Sequence, residues 1–296
     1  MSPDGVNDIP DLPEVLVEAI VRRSLDEDLG SGGDVTSRAV ISPDATACAH
    51  IVAREGGILA GVEPAALTFS LIDRTLELRF GVDEGASVEA GDVVATVEGR
   101  TRSILTAERT ALNFLGHLSG VATATGTLVA AVTGTDAKIC CTRKTTPGLR
   151  SLEKQAVRAG GGVNHRFGLG DAILIKDNHV AASGGVAAAV GAAREQSGPA
   201  TAIEIEVDTL AQLTEALEAG ATAVLLDNMD PPDLRRAVEV TDGRALLEAS
   251  GRVTAETVRA IAETGVDYIS SGWITHSAPV LDFGLDFVSA STPSRD

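Results

Sequence analysis

Short apolar runs recur at even spacing through the second half of the chain, at residues 202–205, 223–226, 245–247 and 268–270. Between them, residues 210–219 and 254–263 place apolar side chains three and four positions apart, the period of a helix with one buried face. Gly220 and Gly265 stand where a helix would end in the left-handed conformation, and Thr254 where one would be capped. Strand–helix alternation of this kind demands a parallel sheet with helices packed outside it. Runs at 137–141 and 172–175 extend the series upstream, so the pattern predicts an α/β barrel or near-barrel over about residues 121–280.

The first half has a different rhythm. An amphipathic helix is expected over residues 13–29, then strands at 47–54, 76–80 and 93–98, with glycines at 56, 57, 81, 85, 91 and 99 marking turns. A long helix follows over 104–132, with a bend expected near Gly116 or Gly120. Gly85, Gly91 and the Asp92-Val93-Val94 that follows resemble the hammerhead turn of biotinyl and lipoyl carriers. No lysine precedes Lys138 to bear such a cofactor, so a structural β module remains.

Composition narrows the class. A chain of 296 residues with 44% hydrophobic but only 3% aromatic residues builds its core from Ala, Val, Leu and Ile. A net charge of −18 argues against nucleic acid or an anionic membrane as partner. Cys48, Cys140 and Cys141 have no metal-ligand spacing, and an adjacent pair does not close an ordinary disulfide, so a reduced cytoplasm is the expected compartment. No unbroken apolar run approaches the ~18 residues of a membrane span. Residues 1–13 are polar, lack a basic start and are expected to be a frayed tail.

Charge is distributed unevenly. All four lysines, with Arg143, Arg150, Arg158 and Arg166, fall within residues 138–177, where only Glu153, Asp171 and Asp177 oppose them. For Lys138, Arg150, Lys154 and Arg158 a solvated helix face is an equally good account. Arg143, Lys144, Arg166 and Lys176 instead stand where apolar runs stop. In a βα barrel the chemistry sits at the C-terminal ends of strands. Those ends carry Thr142-Arg143-Lys144, Lys176, Glu206, Asp227, Ser250-Gly251 and Gly272. The arginines and lysines suit carboxylates through charge-assisted bonds. Glu206 and Asp227 suit Mg²⁺, which takes one or two carboxylates plus phosphate and water. Ser250, Gly251 and Gly272 fall on the last two strand ends, where barrels commonly cradle phosphate. Position and charge alone thus point to a dicarboxylate and a magnesium-bound phosphorylated partner.

At these residues the sequence resembles the quinolinate phosphoribosyltransferases, the decarboxylating nicotinate-nucleotide pyrophosphorylases of NAD biosynthesis. The matching strings are Leu-Thr-Ala-Glu-Arg-Thr-Ala-Leu-Asn at 105–113, Thr-Arg-Lys-Thr-Thr-Pro-Gly-Leu-Arg at 142–150 and Gly-Gly-Gly-Val-Asn-His-Arg at 160–166. Ile-Lys-Asp-Asn-His at 175–179, Glu-Ile-Glu-Val at 204–207, Leu-Asp-Asn at 226–228, Ser-Gly at 250–251 and Thr-His-Ser at 275–277 extend them. The likeness runs over about residues 13–287. It implies an incomplete TIM-like α/β barrel (residues 121–280) with an N-terminal α/β sandwich domain (1–120) that residues 281–296 rejoin. It also implies a homodimer with shared active sites.

The resemblance assigns Arg143, His165, Arg166 and Lys176 to quinolinate, with Arg109 reaching the neighbouring subunit's site for the same purpose. Thr142 and Ser271 join the substrate-binding set. Lys144, Glu206 and Asp227 would handle the pyrophosphate, its Mg²⁺ and the ribose of phosphoribosyl pyrophosphate; Ser250, Gly251, Gly272 and His276 would grip the 5′-phosphate. The catalytic group would be Lys144, Lys176, Glu206 and Asp227. His50 and His117 read as structural and His179 as a support for the strand end at Lys176. Trp273 stands where the family usually has a small residue, with its ring expected to pack outward, and Arg252 where it frequently has Gly or Asn. A transferase of the same fold acting on another aromatic acid, a Schiff-base aldolase using Lys176 and a non-catalytic binding barrel are the alternatives.

Overall fold

The computed structural model describes residues 12–288 and divides into two compact units. Residues 1–11, expected to be a frayed tail, and 289–296, expected to rejoin the sandwich, lie outside the described residues.

The first unit comprises residues up to Ala124, Pro147–Gly161 and residues from Ala278 onward. Its antiparallel sheet has four strands in the order Phe283–Phe287, Thr46–Ala53, Val93–Arg100, Glu77–Phe80. Ala49, Ile51 and Ala53 alternate inward along the second of these, as a sheet with one buried face requires. The helix Thr101–Ala131 lays Ile104, Ala107, Ala111 and Leu115 against the same core. The Glu14–Leu29 helix buries Val17, Val21 and Leu25, one residue per turn. Residues 147–161 lie within the span expected for the barrel but cluster here: their helix Arg150–Ala159 buries Glu153, whose Oε1 lies 2.8 Å from His117 Nε2. Lys154 is also buried, which corrects the solvated-face account at that position.

Two further helices were not expected. Val35–Val40 is capped by Asp34, whose carboxylate accepts the Ser37 N–H at 2.8 Å. Val62–Ile72 begins after Gly61 without a capping side chain of its own. Glu84, distant in sequence, accepts the N–H groups of Gly61 and Val62 at 2.9 and 3.0 Å, so no local signal announces the start.

The long helix runs unbroken through both glycines at which a bend was expected. A Cβ on Gly120 would lie 2.0 Å from Pro279 O, and one on Gly116 2.8 Å from Leu281 O. These glycines admit a neighbouring backbone. Among the described residues this helix alone is long and apolar enough to cross a membrane, with 61% of its most apolar window buried. Its place in the core accounts for that apolarity.

The second unit holds Thr125–Thr146 and Gly162–Ser277. Its sheet has six parallel strands in the order Lys138–Cys140, Tyr268–Ser270, Leu246–Ser250, Ala223–Asp227, Ile203–Val207, Ile173–Ile175. The first strand lies beside the last, as in a TIM-like barrel, and the ring of pairing stays open between the 138–140 and 173–175 strands: a partial TIM-like barrel. Capping fixes the helices between strands. Thr209 and Gln212 form a capping box, Asp230 accepts the Asp233 N–H, and Gly220 and Gly265 take φ of +82° and +96°. The helix expected from Thr254 is shorter, Val258–Ala262 with Thr257 at its N-cap, because Thr254–Thr257 close a turn on themselves.

Replacing Gly120 by Ala should destabilise the protein, lowering its urea midpoint, although Ala is favoured inside helices by about 1 kcal/mol. Overpacking against a backbone oxygen costs about 1–3 kcal/mol. Gly191, within the Val186–Gln196 helix with open space at its Cβ, is the control, and Gly191→Ala should raise the midpoint. A Gly120→Ala protein as stable as the parent would contradict the close approach.

Candidate active site

Parallel strands in register project paired side chains to the same side. Glu206 pairs with Leu225, Leu225 with Glu248, Asp227 with Ser250, and Ser250 with Ser270. Glu206, Asp227, Glu248, Ser250 and Ser270 therefore share one face, while Ile205, Val224, Leu226, Leu247 and Ile269 project to the other and are buried. The strands alternate because their inner face lines a cavity of about 680 Å³.

That cavity brings together every barrel residue that the resemblance assigns to substrate or metal. Arg143 and Lys144, with Thr142, come from the loop after the first strand, and His165 and Arg166 from the loop before the second. Lys176, Glu206 and Asp227 stand at strand ends; Ser250, Gly251, Ser271, Gly272 and His276 complete the wall. Arg109 does not line it; its exposed guanidinium lies 3.9 Å from Glu108 in the first unit.

Cations and acids are held by different means. The Lys176 ammonium is paired with Glu206, and its backbone N–H donates to His179 Nδ1 at 2.9 Å, the support expected of that histidine. Arg166 donates from Nη1 to Ala172 O at 2.9 Å, while its buried Nε has no hydrogen-bond partner. Burial, and then the neighbouring Arg143 charge, push the Arg166 guanidinium below its ordinary range, against the opposing pull of Asp171 and Glu204. Two adjacent guanidinium groups with an uncommitted buried donor on Arg166 have the chemistry to receive an anion. Glu206 and Asp227, on neighbouring strands, add carboxylate oxygens, and Asp227 Oδ2 accepts Asn228 Nδ2 at 2.6 Å.

Glycine is required at Gly251 and leaves room for a neighbouring side chain at Gly272. Gly251 has φ +103°, and a Cβ there would lie 2.2 Å from Asn228 Oδ1. A Cβ on Gly272 would meet the Lys144 side chain at 2.8 Å. Arg252 adopts φ +49°, the left-handed conformation that explains why Gly or Asn suits the position. Trp273 is 39% exposed and is among the residues lining the cavity, beside Gly272.

Two acids were missed from the sequence. Glu204 and Glu248 lie two residues before the strand ends at Glu206 and Ser250 and project inward with them; alternation within each strand was the available signal. They flank His165, whose Nε2 lies 2.9 Å from Glu204 Oε2 and 3.6 Å from Glu248 Oε2. His165 Nδ1 accepts the Arg166 N–H at 2.7 Å. That nitrogen must carry the lone pair, so the ring proton sits on Nε2 and is directed at Glu204. Burial first, then the Glu204 charge, raise the Glu248 carboxyl to about 7, partly offset by His165.

Comparison with known proteins decides the family. Residues 34–119 match the N-terminal domain of quinolinate phosphoribosyl transferase and residues 121–286 its C-terminal domain. The chain belongs to the quinolinate phosphoribosyltransferase family. A family relative from Mycobacterium leprae, a nicotinate-nucleotide pyrophosphorylase (carboxylating), is 46% identical over 271 residues, covering 90% of this chain and 95% of its own. A tobacco quinolinate phosphoribosyltransferase (decarboxylating) is 41% identical over 294 residues, covering 93% and 83%. The solved structure of the nicotinate-nucleotide pyrophosphorylase from Francisella tularensis aligns with a TM-score of 0.90 at 40% identity, over 95% of this chain and 99% of that one.

In this quinolinate phosphoribosyltransferase-family barrel, Glu248 sets a pH dependence of stability. Its proton is held in the folded state up to about pH 7 but lost from the unfolded chain near the ordinary glutamate value of 4.5. The folded state therefore binds more protons between those values, and stability falls as pH rises through that window, by on the order of 3 kcal/mol. Glu248→Gln should remove that fall, so its urea midpoint should gain on the parent's between pH 5 and pH 8. An equal difference at both pH values would contradict the buried, protonated carboxyl.

Proposed function

We propose that this protein transfers the phosphoribosyl group of phosphoribosyl pyrophosphate to quinolinate with decarboxylation, yielding nicotinate mononucleotide, pyrophosphate and CO₂ in de novo NAD biosynthesis. One cavity carries the reading: it confronts Arg143, Arg166, Lys144 and Lys176 with Glu206 and Asp227, in a chain matched by both domains of the family. A single carboxylate would not need so many cations, which favours the dicarboxylate over other aromatic acids.

In this reading the guanidinium groups of Arg143 and Arg166 clamp the quinolinate carboxylates with Lys176, and His165 braces that end of the cavity. The ring nitrogen then faces the ribose anomeric carbon. As it attacks, positive charge develops on the ribose while pyrophosphate departs, and Lys144 stabilises the leaving charge; fixed electrostatics of this kind are the main catalytic lever. The alkylated ring nitrogen is the electron sink for CO₂ loss, so no organic cofactor is required. Glu206 and Asp227 would hold Mg²⁺: they place hard oxygen ligands on one wall, with room for phosphate and water. The ion would supply charge neutralisation to the diphosphate. Lys176 leaves Glu206 for the substrate carboxylate in the same exchange. Ser250, Gly251, Gly272 and His276 would receive the 5′-phosphate, with Thr142 and Ser271 beside it.

The working form in this proposal is a cytoplasmic homodimer. The lack of any role for exposed Arg109 in its own surroundings supports a shared site.

With Mg²⁺ present, quinolinate and phosphoribosyl pyrophosphate should yield nicotinate mononucleotide, pyrophosphate and CO₂. Equal or better turnover of nicotinate, which lacks the 2-carboxylate, would overturn the substrate assignment.

Arg109→Ala and Lys176→Ala proteins should each be inactive. Mixed, they should form heterodimers in which one site lacks both residues and the other is intact, so activity should return. Subunit exchange verified by mass without recovered activity would place Arg109's role within its own chain or nowhere.

A further inference from the structure

We propose that Glu248 delivers the proton that replaces the 2-carboxylate of quinolinate. The inference rests on the function proposed above and names the group for a step that the anion-binding residues do not perform.

The step needs an acid. After phosphoribosyl transfer the ring is an N-alkylated pyridinium bearing two carboxylates. The bond from C2 to its carboxylate carbon breaks, CO₂ leaves, and the electron pair remains on C2. A proton must then form the new C2–H bond, or CO₂ can recombine. In the proposed step the Glu248 O–H bond breaks, its proton passes to C2, and the carboxylate left behind regains a proton from water before the next turnover.

The cavity offers few candidates. Arginine holds its protons too tightly to donate. His165 has a single ring proton, on Nε2, already shared with Glu204 at 2.9 Å, and its Nδ1 accepts the Arg166 N–H. Glu204 accepts that proton, so it stands as the carboxylate of the pair. The Lys176 ammonium is committed to Glu206 and is an intrinsically weaker acid than a carboxyl group.

Glu248 differs from all of these. It lies on the inner face of its strand, 7% exposed, and lines the cavity. Its Oε2 is 3.6 Å from His165 Nε2, beyond hydrogen-bond distance. Burial raises the Glu248 carboxyl, Glu204 raises it further, the His165, Ser270 and Lys176 side chains oppose, and the balance leaves it protonated near neutral pH. His165 and Lys176 belong to the end of the cavity where Arg143 and Arg166 converge, and there the dicarboxylate and its C2 would lie. A neutral carboxyl also avoids repelling the departing carboxylate.

The test follows pyrophosphate and CO₂ in single turnovers of carboxyl-labelled quinolinate by the parent, Glu248→Gln and Glu248→Asp proteins. Quinolinate binding is monitored by emission of Trp273, the chain's one tryptophan, which lines the cavity. The parent should release both products together. Glu248→Gln should bind quinolinate and release pyrophosphate at close to the parental rate, while CO₂ release falls ~100-fold or more, the scale of a lost general acid. The dicarboxylate nucleotide should accumulate, and Glu248→Asp should restore part of the CO₂ release. If CO₂ keeps pace with pyrophosphate in Glu248→Gln, or both fall in the same proportion, Glu248 is not the donor. A parent that makes no nicotinate mononucleotide from quinolinate would instead overturn the function proposed above.

Discussion

The ion pair between Lys176 and Glu206 joins the ends of two adjacent parallel strands, and the site's electrostatics turn on it. Glu206 exposes only 12% of its side chain, so its charge would be costly without a partner, whereas Lys176 remains 46% exposed. Such a pair contributes little to stability in itself, but it keeps a half-buried anion compensated until substrates arrive. In the proposed function, an anionic substrate attracts the lysine as a cation claims the glutamate. The free protein thus carries its charges neutralised against one another, and binding exchanges partners without exposing either charge alone.

The same economy governs the deeper acids. His165 gives its one ring proton to Glu204 and takes an N–H from Arg166, so the ring is fixed in one tautomer and orientation. Glu248 is left as the carboxyl that burial keeps protonated. A buried carboxyl without a strong partner lowers stability above neutral pH, a cost natural at a site built for chemistry. At Glu84 burial again raises the carboxyl, but the two backbone N–H groups it accepts at the start of the Val62–Ile72 helix offset part of that cost.

Local signals account for what the sequence made legible. The helix at Leu210–Glu218 was readable from its apolar spacing, and the structure adds its capping box; the one at Pro231–Thr241 carries its own Asp cap and proline, local signals that the sequence reading passed over. The Val62–Ile72 helix draws its cap from Glu84, so nothing nearby in sequence marks it. Strand ends located Lys176, Glu206 and Asp227 because a charge after an apolar run is conspicuous. Glu204 and Glu248 escaped because the same strands were read only at their ends. In a parallel sheet covered on both faces, strands are nearly continuous in apolar residues. The acid–apolar alternation of Ile203–Val207 is the mark of an inner face that lines a cavity. Gly116 and Gly120 carry a second meaning, since a glycine in a helix signals close backbone approach as readily as a bend.

Net charge and local charge act at different ranges. A chain of −18 repels the dianion and the polyphosphate that its cavity is proposed to bind. At physiological salt, however, exposed charges are screened within about 8 Å, so the distant acids contribute little at the cavity mouth. Inside, water is partly excluded, and the uncommitted Arg166 donor and the adjacent Arg143 act at short range in a medium that screens them far less. Concentrating the cations in one short segment therefore lets an acidic protein present a cationic site. An even spread of lysines over the surface would leave each of them screened and the cavity without a field of its own.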